Sequence, residues 1–184
     1  MKLLTPALCA AFLAASFGLE ATSVNAQAPA PVAPVAAKKK NWTAPAHKMH
    51  SQKLVDEIMA AHPELLSVTF QGVPPGHDKV YTMFAGSFPE RIGNASDADD
   101  IEVITKGVTI LDPRHKKTET PKKYVILSPL RDAKSENVGL IVIAFKNDPA
   151  HTRTDEEFYR ASRQIRDDVA KKIESHASLF EPAR

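Results

Sequence analysis

Cysteine is almost absent from this chain of 184 residues, since Cys9, in the first apolar segment, is the single one. A product that has lost that segment contains no thiol, which excludes disulfides, cysteine metal sites and thiol catalysis from it. The seven scattered glycines form neither a phosphate-binding loop nor a dinucleotide fingerprint. No Gly-x-Ser-x-Gly sequence is present either. We therefore predict that the protein is not an enzyme.

The chain also lacks an excess of charge and a second long apolar run. Its 24 basic and 22 acidic residues leave a net charge of +2, which argues against nucleic acid as a partner. Residues 1–26 have Lys2 near the start, continue as an apolar run and end in small residues, the pattern of a secretory signal peptide. We expect cleavage after Ala26 and a soluble periplasmic or secreted product without a membrane span. Lipidation of Cys9 is the weaker alternative.

Residues 27–44 alternate alanine and proline and then become basic. Such a composition favours an extended, solvated backbone, so we interpret this segment as a linker. Residues 45–184 then form a single domain, large enough to be held by its hydrophobic core without disulfides.

The pattern of apolar residues predicts an α+β domain. Residues 45–61 are expected to form a helix that ends before Pro63. Strands at 65–71 and 79–86 follow as a hairpin, because the sequence GVPPGHD between them is rich in proline and glycine. The remaining predicted elements are a short helix (97–106), a brief strand (108–112), two long strands (123–130 and 138–146) and a helix (155–176) that begins with a Thr154–Glu157 capping box. We expect one five-stranded antiparallel sheet with N- and C-terminal helices and a short crossover helix.

Three stretches, together with this order of elements, resemble a known class of domain. They are HPELLSVTF at 62–70, RIGNASDADD at 91–100 and LSPLRDAKSENVGLIVIAF at 127–145. The chain resembles, over about residues 47–180, the PAS-like fold of extracytoplasmic Cache-type sensor domains. The resemblance implies a small ligand between the inner face of the sheet and the crossover helix. The residues that it implies for ligand contact are Tyr81, Met83, Arg91, Tyr124 and Ile126.

These side chains would suit a small organic acid or amino acid. A phenol combines an apolar ring with a hydrogen-bonding tip, and arginine can bind a carboxylate through two parallel bonds. The expected function is thus an exported, sensor-like domain that binds a small molecule. In the alternative, the apolar candidates fill the core and Arg91 pairs with Glu90 or Asp97. The protein is then an interaction module for another envelope protein, without a ligand. A homodimer through the terminal helices is a further expected assembly.

Three aspartates, Asp97, Asp99 and Asp100, raise the question of a calcium site. An EF-hand loop needs a glycine and then a glutamate at fixed positions, and neither follows here. Helix capping by Ser96 or Asp97 explains the same residues better, because carboxylates are favourable at the positive end of a helix. Gly107 is expected to end that helix.

Two histidines, His47 and His50, are three residues apart on the predicted first helix, a spacing that can bring two imidazoles to one metal. No third ligand is fixed by the sequence, so we interpret both as surface histidines. No Cys-x-x-Cys-His motif for covalent haem is present. We predict no metal and no cofactor, although a non-covalent haem bound by one histidine would leave no motif.

Overall fold

The computed structural model describes residues 39–111, 122–147, 150 and 153–184. Its helices and strands are α1 (His50–Ala61), β1 (Leu65–Gly72), β2 (Thr82–Gly86), α2 (Ala98–Lys106), β3 (Ile110–Leu111), β4 (Lys123–Arg131), β5 (Asn137–Lys146) and α3 (Asp155–Ala170), with short 3-10 helices at Pro89–Arg91 and Ala177–Phe180. The predicted signal peptide 1–26 and most of the predicted linker 27–44 lie outside the described residues. No described helix has the length and apolar character that crossing a membrane requires.

The five strands form one antiparallel sheet in the order β2-β1-β5-β4-β3. β1 and β2 form the predicted hairpin, and β5 lies at the centre between β1 and β4. β4 tolerates Pro129 because, within the described residues, β3 pairs only with Ile126 and Leu127 and no second strand flanks β4 at the proline. The predicted α+β fold, with one five-stranded antiparallel sheet and a helical crossover between β2 and β3, is confirmed, and its arrangement is PAS-like.

Helices cover both faces of this sheet. α1 and α3 cover one face, over a large apolar cluster that includes Leu54, Val55, Phe70, Ile143, Phe145, Phe158 and Ile165. α2 covers the other face, where Val103 packs against Leu127 of β4 and Leu140 of β5. Most of β5 is buried on both sides, as expected of a central strand with helices above and below it.

The two terminal helices are shorter than predicted. α1 begins at His50 rather than at residue 45, because Met49, just before it, is extended and pairs with Pro182 of the C-terminal segment. The His50 N–H donates to the Glu181 carbonyl (2.7 Å), and the Ala183 N–H donates to the Lys48 carbonyl (2.8 Å). The chain thus enters α1 only after it has paired with residues 181–183.

α3 begins with the predicted Thr154–Glu157 capping box but ends at Ala170. Beyond it, Ser175 and Ser178 each accept a hydrogen bond from the other's backbone N–H through their hydroxyl oxygens, at 3.2 and 3.3 Å. Serine side chains compete with helical bonding in this way, so they turn the chain instead of continuing the helix. Leu179, in the segment that follows, is fully buried.

Ser51, in the first turn of α1, is buried with a hydroxyl that has no hydrogen-bond partner among the described residues. Ser162 of α3 is equally buried, but its hydroxyl donates to the Tyr159 carbonyl at 2.8 Å. A buried polar group without a partner destabilises the folded state, whereas a bonded one is close to neutral or favourable.

Ser51→Ala is therefore expected to raise the free energy of unfolding by about 1 kcal/mol, and Ser162→Ala to lower it by a similar amount. Urea unfolding followed by circular dichroism measures both changes. Equal destabilisation by the two variants would show that the Ser51 hydroxyl is bonded after all.

Candidate functional site

The crossover between β2 and α2 pairs through its backbone with the start of β2, along the outer edge of the sheet. The Met83 N–H donates to the Asn94 carbonyl and the Ser96 N–H to the Tyr81 carbonyl, both at 3.0 Å. On its outer side the crossover pairs antiparallel with residues 39–41, where the Asn41 N–H donates to the Gly93 carbonyl (2.8 Å). β2 is therefore covered, and an exposed sheet edge with its unpaired backbone groups is avoided there.

Residues 39–42 are called the strap below. Gly93 has a φ of +88°, and a Cβ at this position would overlap the carbonyl oxygen of Trp42. Only glycine meets both conditions, since a side chain is disfavoured at positive φ and would also displace the strap. The Trp42 ring packs edge-on against Phe180, with ring centroids 6.1 Å apart. The end of the segment predicted as a linker is thus packed on the domain.

The three aspartates lie at the start of α2, as the capping interpretation requires. Asp97 is the N-cap residue, and its N–H donates to the Asp100 carboxylate at 2.9 Å in a capping box. The Ser96 hydroxyl instead donates to Gln71 at 2.7 Å. The three carboxylates offer oxygens within 4.8 Å of one another, close enough to hold a cation. Helix capping accounts for this proximity. Gly107 ends α2 with a φ of +67°, as predicted.

Arg91 lies on the surface in front of this helix. Its side chain is 48% exposed, its Nε lies 3.7 Å from the Glu90 carboxylate, and its guanidinium lies 4.4 Å from the centre of the Phe88 ring. The Glu90 partner is one of the two that the sequence suggested. Met83, by contrast, is buried and pairs with Gln71 across the strands, on the sheet face that carries α2.

Tyr124 and Ile126 lie on the other face of the sheet. Tyr124 stacks on Phe158 of α3, with ring centroids 4.4 Å apart and an interplanar angle of 7°, and Ile126 is fully buried in the same cluster. The neighbouring residues Val125 and Leu127 point toward α2 instead. Because side chains alternate along a strand, the structure does not bring the five predicted ligand residues around one space. Their contact with a ligand remains a prediction.

A cleft of about 430 Å³ opens where β1 ends and β5 begins. The β1–β2 turn, the end of α2, the start of β5 and the C-terminal segment contribute its lining, which consists of Val73, Pro74, Pro75, Gly76, His77, Ile104, Asn137, Val138, Gly139 and His176. We call it the turn cleft. Its lining contains two imidazoles, those of His77 and His176, for which the sequence predicts no site.

The walls of the turn cleft are held by backbone geometry. The His77 N–H donates to the Pro74 carbonyl (3.2 Å) and Gly76 has a φ of +79°, which together with Pro75 is the pattern of a type II turn. At the base, Gly139 has a φ of +144°, and a Cβ there would lie 2.5 Å from the Gln71 carbonyl oxygen. The absence of a side chain therefore allows β5 to approach β1 closely.

Two polar side chains connect the separate segments of the cleft. The Asn137 amide donates to the Ile104 carbonyl (3.0 Å), which ties β5 to the end of α2. The His176 Nε2 lies 2.9 Å from the Val73 carbonyl oxygen. Because a carbonyl only accepts, Nε2 carries the proton, and Nδ1 of the neutral ring is an acceptor.

A second hollow of about 90 Å³ lies between α1 and α3 and is too small for a metabolite. The Lys172 ammonium lies 2.8 Å from the Glu57 carboxylate beside it. This hydrogen bond, with the charges of Lys172, Lys53 and His50, lowers the pKa of Glu57. The pair joins α1 to the turn that follows α3.

Neither protein-family profiles nor curated proteins match the chain. Among solved structures it is similar to the type II free methionine-R-sulfoxide reductase of Thermoplasma acidophilum, with 15% identity, 72% of this chain and 93% of that chain covered, and a TM-score of 0.45. The E. coli DcuS sensor domain is 15% identical, with 62% and 71% covered and a TM-score of 0.36. A GAF domain of A. aeolicus nlh2 is 13% identical, with 67% and 82% covered and a TM-score of 0.45. Likenesses this distant carry no function over to this chain.

Gly93→Ala and Gly107→Ala form a matched pair of variants. Both glycines have positive φ, but no atom lies within 4 Å of a Cβ at Gly107, whereas one at Gly93 would meet Trp42. We expect Gly107→Ala to cost about 1 kcal/mol of unfolding free energy through backbone strain alone. Gly93→Ala should cost more and should shift the emission of Trp42 to longer wavelength. Urea unfolding and fluorescence test this, and unchanged emission in Gly93→Ala would contradict it.

Proposed function

We propose that this chain is an exported, sensor-like domain of the Cache type that binds a small organic acid or amino acid in the turn cleft. The observation that carries the proposal is a cleft of about 430 Å³ with two imidazoles in its lining. This volume falls within the range of roughly 300–1,000 Å³ that is usual for small-molecule sites. Export is supported by the signal-peptide pattern of residues 1–26.

An acidic ligand suits the chemistry of the turn cleft. The His77 imidazole offers an N–H donor to a carboxylate oxygen, whereas the Nε2–H of His176 already bonds the Val73 carbonyl oxygen. No carboxylate side chain is among the described residues that line it, so a bound anion meets no like charge there. The Pro74–His77 turn is rigid, and a rigid site loses little conformational freedom when it binds a ligand.

Docking of another envelope protein is the second candidate function. The space below α2 is filled by Val103, Leu127 and Leu140, which favours a domain without a ligand on that face. Val108 and Leu111, next to and within the edge strand β3, are exposed by 39% and 42%. An extended partner segment could add to such an edge, and a homodimer through α1 and α3 belongs to the same proposal.

A thermal-shift experiment separates these functions. Acetate, succinate, citrate, glycine and glutamate are added to the wild type and to His77→Ala, His62→Ala and Arg91→Ala. A ligand at 100 times its dissociation constant stabilises the folded state by about 2.7 kcal/mol, which is a readily measured shift in melting temperature. We expect at least one acid to stabilise the wild type and His77→Ala to lose most of that shift. His62→Ala removes an imidazole outside the cleft and should keep the shift, as should Arg91→Ala.

Two results would overturn the proposal. If none of the five compounds stabilises the wild type, acid binding is wrong and the docking function replaces it. If Arg91→Ala loses the shift while His77→Ala keeps it, the ligand binds at the crossover and not in the turn cleft.

A further inference from the structure

Phe180 lies between the turn cleft and the strap. Its ring contacts the ring of His176, which lines the cleft, with centroids 5.3 Å apart. The same ring contacts Trp42 of the strap at 6.1 Å and Phe84 of β2 at 4.8 Å. A single side chain therefore touches both a residue of the cleft and the aromatic anchor of the strap.

The segment that carries these rings is short and internally closed. Residues 177–180 form one 3-10 helix, and the Ser175–Ser178 bonds join its start to the preceding turn. Two histidine contacts connect this segment to other parts of the domain. The His176 Nε2 lies 2.9 Å from the Val73 carbonyl oxygen, and the His47 Nε2 lies 3.1 Å from the Phe180 carbonyl oxygen. A change in the His176 contact with Val73 thus acts on the segment that positions Phe180.

The strap is held by few contacts. Its backbone is bonded to the crossover through Asn41 to Gly93 (2.8 Å) and Ala95 to Lys39 (3.3 Å). The Asn41 side chain donates to the Tyr81 carbonyl at 3.0 Å, and the Trp42 ring is only partly buried. An element with so few buried contacts opens at a much smaller free energy than the core, so the loss of one contact changes its docked population measurably.

We propose that docking of the strap is coupled to the state of the turn cleft through His176 and Phe180. When His176 keeps its bond to Val73, the Phe180 ring is held in contact with the Trp42 ring and the strap is docked. When a ligand in the cleft displaces His176, the Phe180 ring moves, the contact with Trp42 is lost and the strap is released from the crossover. The role of an occupant rests on the proposed function, whereas the coupling between the two sites is a property of the fold alone.

Trp42 is the only tryptophan of the chain, so its fluorescence reports strap docking directly. His176→Ala is compared with His77→Ala, which removes the other imidazole of the same cleft. His77 is exposed and has no ring contact with Phe180, so it serves as the matched control. We expect His176→Ala to shift Trp42 emission to longer wavelength and to raise its acrylamide quenching constant about twofold or more. His77→Ala should leave both unchanged.

The reverse experiment starts from the strap. Gly93→Ala displaces Trp42, and coupling is reciprocal, so the imidazole signals of His176 should shift in nuclear magnetic resonance spectra while those of His77 stay in place. Circular dichroism verifies that each variant is folded. If His176→Ala does not fold, the Gly93→Ala measurement alone decides the question.

Unchanged Trp42 quenching in a folded His176→Ala, or an unchanged His176 signal in Gly93→Ala, would overturn the coupling. The outcome is separable from that of the acid screen. Coupling without a stabilising acid contradicts the proposed ligand and keeps the coupling. A stabilising acid that leaves Trp42 quenching unchanged contradicts the coupling and keeps the ligand.

Discussion

Burial of β5 on both faces is the constraint on which the other elements depend. A central strand with apolar residues on both sides needs a neighbour at each edge and a helix above and below it. β1 and β4 flank β5 in the sheet, α1 and α3 cover one face, and α2 covers the other. The crossover must therefore carry the chain from the β2 edge across to the second face. Its path is fixed where residues 93–96 pair with residues 81–83 at the start of β2.

The order of elements, the hairpin and the caps of α2 and α3 were predictable because each has a local signal. A Pro-Gly turn, a capping box and a terminal glycine act within a few residues of the chain. The face of the β4 residues was not predictable. Tyr124, Val125, Ile126 and Leu127 are all apolar or aromatic, so alternation gives no indication of which pair faces α2. The start of α1 depends on the pairing of residues 48–50 with residues 181–183, which a local pattern does not contain.

The turn cleft could not be predicted from the sequence for a similar reason. Its lining comes from four segments that only the sheet topology brings together. The sequence GVPPGHD predicts a turn, but it contains no signal that the imidazole of His176 lies in the same cleft as that of His77. The rigid Pro-Pro-Gly turn beside a histidine was the available local indication. The role of Gly93 was likewise not predictable, because nothing in the sequence distinguishes it from the other six glycines; its contact with Trp42 of the strap appears only in the structure.

The strap also determines where the chain enters the described part of the domain. While residues 39–41 are paired with the crossover, that entry lies outside the β2 edge of the sheet, with the crossover between them. Four residues in an extended conformation span roughly 13 Å. The two amide-to-carbonyl bonds between the strap and the crossover thus fix the path of the chain over about that length.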